Sequence, residues 1–263
     1  MFETILLPVL IIAGIGLIFG IILAVASKVM AVPVDERITK IRAALPGANC
    51  GACGFAGCDD YAKAVCENGA PTNACIPGGD NVAKAVASIM GVEASSSTPV
   101  AAFLGCQGTH AVTEEKYLYQ GIPTCRACNA ITAGKGSCMY GCLGFGDCME
   151  ACKFGAIQIV GGIAHFDREL CTGCGACAKA CPKHLISILP KQTKVFVSCS
   201  NQEKGAATRS VCKTGCIGCK KCERTCTFDA IHVENNLASI DPEKCTGCGA
   251  CAEACPVHAI ITL

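Results

Sequence analysis

The sequence predicts an α+β protein with an amino-terminal transmembrane helix, a small four-cysteine domain and two tandem cysteine-rich modules. Three observations support this prediction. Residues Thr4 to Ser27 carry no charge, 26 of the 263 residues are cysteine, and the second half of the chain repeats a cysteine pattern found upstream. The predicted parts are the helix at 1–28, the amino-terminal domain at 29–91, a linker at 92–100, and modules at 101–190 and 191–263.

The uncharged run from Thr4 to Ser27 is predicted to cross a membrane. As a helix it would extend about 36 Å, and the hydrocarbon core is about 30 Å thick. A cleaved signal peptide is the alternative, because Ala24-Val25-Ala26 resembles a cleavage site, but no basic residue precedes the run. Basic residues follow it at Lys28, Arg37, Lys40 and Arg42. We therefore expect a single-pass protein of the cell (inner) membrane with its body on the cytoplasmic side.

The strongest motif runs from Cys171 to Pro182 and reads C-T-G-C-G-A-C-A-K-A-C-P; it recurs from Cys245 to Pro256 with one substitution. Its spacing, C-x2-C-x2-C-x3-C-P, is the one with which bacterial ferredoxins bind 4Fe-4S clusters. Three cysteines bind one cluster and the fourth binds its neighbour. Zinc ribbons separate their C-x2-C pairs, and disulfides would not need such crowding. Both modules are therefore predicted to be ferredoxin-like, with two 4Fe-4S clusters each.

The repeat extends upstream of these motifs at the same offset. Four cysteines of the first module have counterparts in the second, which pairs Cys138, Cys142, Cys148 and Cys152 with Cys212, Cys216, Cys222 and Cys226. The first module departs from the usual spacing at Phe145, which stands where the second module has Cys219. Cys138 is the predicted replacement ligand, whereas its counterpart Cys212 is spare.

The amino-terminal domain carries its own cysteine set, with three close together and one more distant. This spacing predicts another 4Fe-4S cluster, so that five 4Fe-4S clusters are expected in the chain. The predicted ligand sets are Cys50, Cys53, Cys58 and Cys75; Cys138, Cys142, Cys148 and Cys181; Cys152, Cys171, Cys174 and Cys177; Cys216, Cys219, Cys222 and Cys255; and Cys226, Cys245, Cys248 and Cys251.

Six cysteines lie outside these sets, namely Cys66, Cys106, Cys125, Cys128, Cys199 and Cys212. Cys66 is expected to be a packing residue inside a helix. Some of the other five could hold a sixth cluster, and the alternative is that they are free buried thiols.

Helices and short strands are predicted between the cysteines. The amino-terminal elements are a connector at 31–45 with Ile38, Ile41 and Leu45 on one face, a helix from Asp59 to Glu67, and a helix from Asp80 to Met90. Asp80 is the predicted N-cap of the last helix, because its side chain can accept a first-turn hydrogen bond. The polar stretch from Glu93 to Pro99 is predicted to be a linker.

Each module is predicted to contain a hairpin between its two motifs. The predicted strands are Ala156–Val160 and Ile163–Phe166 in the first module, and Ala230–Glu234 and Leu237–Ile240 in the second. The Gly161-Gly162 and Asn235-Asn236 turns tolerate the positive φ that a two-residue hairpin requires. Val100 to Leu104 is a further candidate strand.

The charge distribution bears on partners. The segment from Lys183 to Arg224 contains nine basic residues and only two acidic ones, Glu203 and Glu223. This stretch is either a solvated face or a docking patch for an acidic protein. Nucleic acid is not expected as a partner, because aromatic residues are few and Trp is absent. No G-x-G-x-x-G follows a predicted strand and no P-loop occurs, so the chain itself is not expected to bind NAD.

The stretches L-P-G-A-N-C-G-A-C-G-F-A-G-C, C-I-P-G-G-D and G-C-L-G-F-G-D-C-M-E-A-C resemble the B subunits of the Rnf complex family. The resemblance implies a membrane-bound, ion-translocating ferredoxin:NAD oxidoreductase. In it this chain would take electrons from soluble reduced ferredoxin and relay them to the other membrane subunits toward NAD. The alternatives are a polyferredoxin donor for another reductase, including one that reduces a redox sensor, a methyl-transfer partner, and a structural zinc protein.

Overall fold

The computed structural model of the chain describes residues 2–29, 35–96 and 98–263, including the side chains of residues 12–27 in the first helix. Before the modules it contains α1 (Phe2–Val29), α2 (Glu36–Ala44), α3 (Cys58–Asn68) and α4 (Gly79–Met90). The first module contains β1 (Val100–Leu104), α5 (Cys125–Thr132), α6 (Asp147–Glu150), β2 (Ile157–Val160), β3 (Ile163–Phe166), α7 (Ala176–Ala180) and β4 (Ile186–Pro190). The second contains β5 (Val195–Val197), α8 (Gly205–Val211), α9 (Lys221–Thr225), β6 (Ile231–Glu234), β7 (Leu237–Ile240), α10 (Ala250–Glu253) and β8 (Ile260–Thr262).

The prediction of an amino-terminal transmembrane helix is wrong. Among the residues that the structure describes, no helix is both long and apolar enough to cross a membrane. A helix, α1, does form over the uncharged run. The helices and strands of the predicted α+β class are present.

The amino-terminal domain packs α2, α3 and α4 around one small core. Ile38, Ile41 and Leu45 are buried, as predicted for the amphipathic connector over its described residues 35–45; its residues 31–34 lie outside the described chain. Asp80 is not the N-cap of α4, because the helix begins at Gly79 and Gly78 occupies the cap. The carboxylate of Asp80 therefore lies in the first turn, where it faces the positive end of the helix dipole.

Each module is built on two antiparallel strand pairs. In the first module β1 pairs with β4 and β2 with β3; in the second, β5 pairs with β8 and β6 with β7. The predicted hairpins are confirmed, and φ is positive at both residues of the Gly161-Gly162 and Asn235-Asn236 turns. The strand at Val100–Leu104 is also confirmed, but its partner is β4 at the other end of the module.

The two modules pack directly against each other. The rings of Phe103 and Phe196 meet edge to face, with their centroids 5.0 Å apart. The Ser198 hydroxyl donates to the carbonyl of Leu104 at 2.9 Å. These contacts join the end of β1 to the segment after β5, so that cysteines of both modules meet along this boundary.

Candidate metal centres

The amino-terminal thiols come together around the loop between α2 and α3. Cys50, Cys53 and Cys58 lie in this loop or at its end, where the Asn49 side chain accepts a 2.9 Å hydrogen bond from the N–H of Cys58. Cys75 approaches them from the segment before α4. Burial raises the pKa of the Cys75 thiol, and the charges of Cys58, Cys53 and Cys50 raise it further. This coupling puts the four predicted ligands in one neighbourhood.

In the first module, one cavity is lined by the predicted set Cys152, Cys171, Cys174 and Cys177. Burial raises the pKa of Cys177 to about 11, and the other three thiols add to the shift. The backbone N–H of Ala102, on β1, donates to Cys171 Sγ at 3.4 Å. The strand thus supplies a donor to a sulfur on the cavity wall.

The second cavity of this module is lined by a different set of cysteines from the one predicted. Its cysteines are Cys125, Cys142, Cys148 and Cys181. Burial raises the pKa of Cys148 to about 12, and the charges of Cys142, Cys125 and Cys181 contribute to the shift. Cys138, the predicted fourth member of this set, does not line the cavity.

Cys125 reaches this cavity because α5 begins beside the loop that carries Cys142 and leads into α6. The backbone N–H of Cys125 donates to Asp147 Oδ1 at 2.7 Å. Burial raises the pKa of the Cys125 thiol, and the backbone N–H groups of Asp147, Phe145 and Gly146 lower it. The sulfur therefore lies at the backbone of Phe145, the position where the middle cysteine of the motif is missing. Phe145 was the sequence signal that a ligand had to come from elsewhere.

The second module keeps both predicted sets together. Burial raises the pKa of Cys222 to about 11, and the charges of its predicted partners Cys216, Cys255 and Cys219 raise it further. The other set lines one cavity and consists of Cys226, Cys245, Cys248 and Cys251. Among the described cysteines, only Cys219 and Cys248 are exposed, and both belong to this module.

Cys138 lies elsewhere, at the boundary between the modules. It lines a separate cavity together with Cys106, Cys199 and Cys212, none of which belongs to a predicted ligand set. Cys66 lies in α3, as predicted, and Cys128 is fully buried in α5.

The chemistry of these walls suits an iron–sulfur cluster. Every wall offers four thiols, and several sulfurs accept backbone N–H groups, as cluster ligands commonly do. In the described part of the chain, no three cysteine, histidine or acidic side chains converge closely enough to hold a single metal ion. In the first module the thiols instead line two shared cavities, with four cysteines at each.

Two protein families match these regions. The FeS family of Fe-S cluster domains matches residues 45–77, and the Fer4 family, the 4Fe-4S binding domain, matches residues 164–187 and 238–261. The matched segments contain cysteines of the amino-terminal set and the C-x2-C-x2-C-x3-C-P motif of each module. Fold, thiol sites and family matches together define an electron-transfer protein that binds 4Fe-4S clusters.

Three curated relatives are similar over nearly the whole chain. The B subunit of the Na(+)-translocating ferredoxin:NAD(+) oxidoreductase complex of Acetobacterium woodii is 45% identical over 99% of this chain and 78% of its own length. The B subunit of the ion-translocating oxidoreductase complex of Methanosarcina acetivorans is 41% identical over 99% of both chains. The B subunit of the proton-translocating ferredoxin:NAD(+) oxidoreductase complex of Clostridium ljungdahlii is 41% identical over 98% and 92%. The chain belongs to this family of B subunits of ion-translocating oxidoreductase complexes.

Proposed function

We propose that this chain is the electron relay of a membrane-associated, ion-translocating ferredoxin:NAD oxidoreductase complex. It accepts electrons from reduced soluble ferredoxin and passes them toward the other subunits and NAD. The similarity to three such B subunits over at least 98% of the chain carries this proposal. The proposal keeps the iron–sulfur body on the cytoplasmic side, where thiols stay reduced.

Five four-cysteine sites provide the relay. When bound, a 4Fe-4S cluster supplies a one-electron centre whose potential depends on its surroundings. We assign the ligands as predicted, with one change: Cys125 replaces Cys138 beside Cys142, Cys148 and Cys181. The proximity of the Cys125 thiol to Cys148 and to the Phe145 backbone supports this change.

Ferredoxin is proposed to dock on the second module. Electron transfer requires a short path from the partner to a bound cluster, and this module carries the exposed Cys219 and Cys248. Lys220, Lys221 and Arg224 are also exposed and adjoin Cys219. Arg224 even donates to the carbonyl of Cys219 at 3.4 Å. A basic rim around an exposed ligand suits an acidic electron donor.

The experiment uses membranes from cells that lack this chain and from cells that carry it. Ferredoxin-dependent NAD reduction, coupled to Na⁺ or H⁺ uptake, should disappear on deletion and return on complementation. If NAD reduction and ion uptake survive deletion, the proposal is overturned. If only another ferredoxin-dependent reduction is lost, the chain is a donor for a different reductase.

A further inference from the structure

The boundary between the modules holds four cysteines that the five-site relay does not use. Cys106, Cys138, Cys199 and Cys212 line one cavity. Each of the two thiol-lined cavities of the first module is likewise lined by four cysteines. We propose that these four residues form a sixth iron–sulfur site, which binds a 4Fe-4S cluster between the two modules.

The first module contributes half of the site. Cys106 follows β1 and is buried. Its Sγ accepts hydrogen bonds from the N–H of Gly108 at 3.3 Å and from the N–H of Cys142 at 3.4 Å. A sulfur that accepts two backbone donors is prepared to carry the negative charge of a ligating thiolate.

The second module contributes the matching half. Cys199 follows β5, and its Sγ accepts from the N–H of Asn201 at 3.5 Å and from the N–H of Cys216 at 3.3 Å. The arrangement around Cys106 is therefore repeated. Each sulfur accepts from the N–H two residues later and from the N–H of a cysteine in its own module, Cys142 or Cys216. Cys138 and Cys212 are themselves related by the 74-residue repeat. Each module therefore presents an equivalent pair of thiols to the boundary.

The remaining two sulfurs also have polar neighbours. Asn201 is only 1% exposed, and its Nδ2 lies 3.5 Å from Cys138 Sγ as a donor. The sulfur of Cys212 lies 3.5 Å from Thr214 Oγ1. The same Nδ2 also donates to Glu203 Oε2 at 3.5 Å, so the buried amide is held between a carboxylate and the Cys138 sulfur. Asn201 is therefore a positioning residue of the site.

The site lies where the modules are held together. The Ser200 hydroxyl donates to the carbonyl of Gly105 at 2.8 Å, beside Cys106. On the other side, the Thr113 hydroxyl donates to the carbonyl of Val211 at 2.8 Å, beside Cys212. The site thus connects the modules both structurally and electronically. Its role as a step between the two pairs of module clusters rests on the proposed function, whereas its ability to bind iron does not.

The test compares cysteine variants of the full chain, purified without oxygen. Wild type should contain about 24 iron atoms, four for each of six sites, and a variant with Cys106→Ala and Cys199→Ala should lose about four. The matched control carries Cys66→Ala and Cys128→Ala, which lie outside all six sets, and should keep its iron. About 20 iron atoms in wild type with no loss in the variant would overturn the sixth site but leave the relay intact. Zinc in place of that iron would also overturn it, and a chain with no iron at all would overturn the proposed function as well.

A second variant does not depend on removing ligands. Asn201→Asp keeps the Oδ1 that accepts from the N–H of Glu203 at 2.7 Å, but it replaces the amide donor near Cys138 with a carboxylate. In a redox titration followed by electron paramagnetic resonance, one centre should shift to a more negative potential. The other centres should stay where they were. If no centre shifts, Asn201 does not face a cluster and the proposal fails.

Discussion

The backbone N–H of Cys125 donates a 2.7 Å hydrogen bond to Asp147 Oδ1, across a boundary between two helices. The second carboxylate oxygen accepts from the N–H of Arg126 at 3.0 Å. The Asp147 carboxylate, on α6, therefore holds the first turn of α5 and the Cys125 thiol against the loop that carries Cys142. In the proposed ligand set, Cys125 therefore takes the place of the cysteine that is missing at Phe145.

Asp147→Ala should loosen this arrangement. The variant loses two hydrogen bonds to a charged acceptor, each of which contributes about 1.5–3 kcal/mol. We expect faster iron release to a chelator from the Cys125 site and a lower apparent melting temperature. Asp147→Asn keeps one acceptor oxygen, so its iron release rate and melting temperature should lie between those of Asp147→Ala and wild type. Equal release rates in all three proteins would show that Asp147 does not position the ligand.

Cys125→Ala should remove one cluster of the first module. The prediction follows from the contact of Cys125 with the cavity that Cys142, Cys148 and Cys181 also line. Cys128→Ala is the matched control, since Cys128 lies one turn further along α5 and is also buried but does not line that cavity. Iron analysis and electron paramagnetic resonance should show a loss of about four iron atoms only for Cys125→Ala. Full iron content in that variant would contradict the assignment.

The sequence predicted what is local and missed what depends on distant contacts. The ferredoxin-like motifs fold their three nearest thiols around one site within a single short loop, so spacing alone identified them. The hairpin turns at Gly161-Gly162 and Asn235-Asn236 are equally local. Cys125 was missed because its approach depends on Asp147, 22 residues away. Cys106, Cys199 and Cys212 were left unassigned, and Cys138 was placed in another set, because the approach of these four residues depends on how the two modules pack.

The stability of the amino-terminal domain should fall at alkaline pH through Tyr61. Burial raises the pKa of Tyr61 to about 12 from an ordinary 10.0, and its hydroxyl donates to the carbonyl of Pro71 at 2.7 Å. Because the folded pKa is the higher one, the contribution is complete below pH 10 and is lost as the pH rises toward 12. Denaturation curves between pH 8 and 12 should show this loss in wild type. Tyr61→Phe should be less stable at neutral pH, and its free energy of unfolding should change less between pH 8 and 12. The same pH dependence in both proteins would refute the prediction.

Gly173→Ala should destabilise the first module more than Gly175→Ala. Both glycines have positive φ, +72 and +76, so alanine costs about 1–2 kcal/mol at either position. At Gly173 the new Cβ would also lie 2.7 Å from the carbonyl oxygen of Val100 on β1, whereas nothing lies within 4 Å at Gly175. We expect a clearly lower melting temperature for Gly173→Ala, measured on the anaerobic protein. If both variants lost the same amount of melting temperature, β1 would not pack against the loop that carries Gly173 and Gly175.

Reversing the charges beside the exposed Cys219 should slow electron transfer from ferredoxin. In the variant with Lys220→Glu and Lys221→Glu, two acidic side chains replace two exposed basic ones at the start of α9, so an acidic donor meets repulsion where it had attraction. Stopped-flow reduction at low salt should be about tenfold slower, within the range over which charge steering changes association rates.

The control for this experiment changes the same total charge at a distance. Lys63→Glu with Lys84→Glu alters two exposed residues of the amino-terminal domain, on α3 and α4. At low salt this pair should transfer electrons at nearly the wild-type rate. The defect of the Lys220 and Lys221 variant should shrink as salt rises to about 1 M, where the Debye length falls to about 3 Å. A slowing that is equal in both variants would indicate a general charge effect, and one that is independent of salt would indicate damage to α9; either result would contradict docking at this surface.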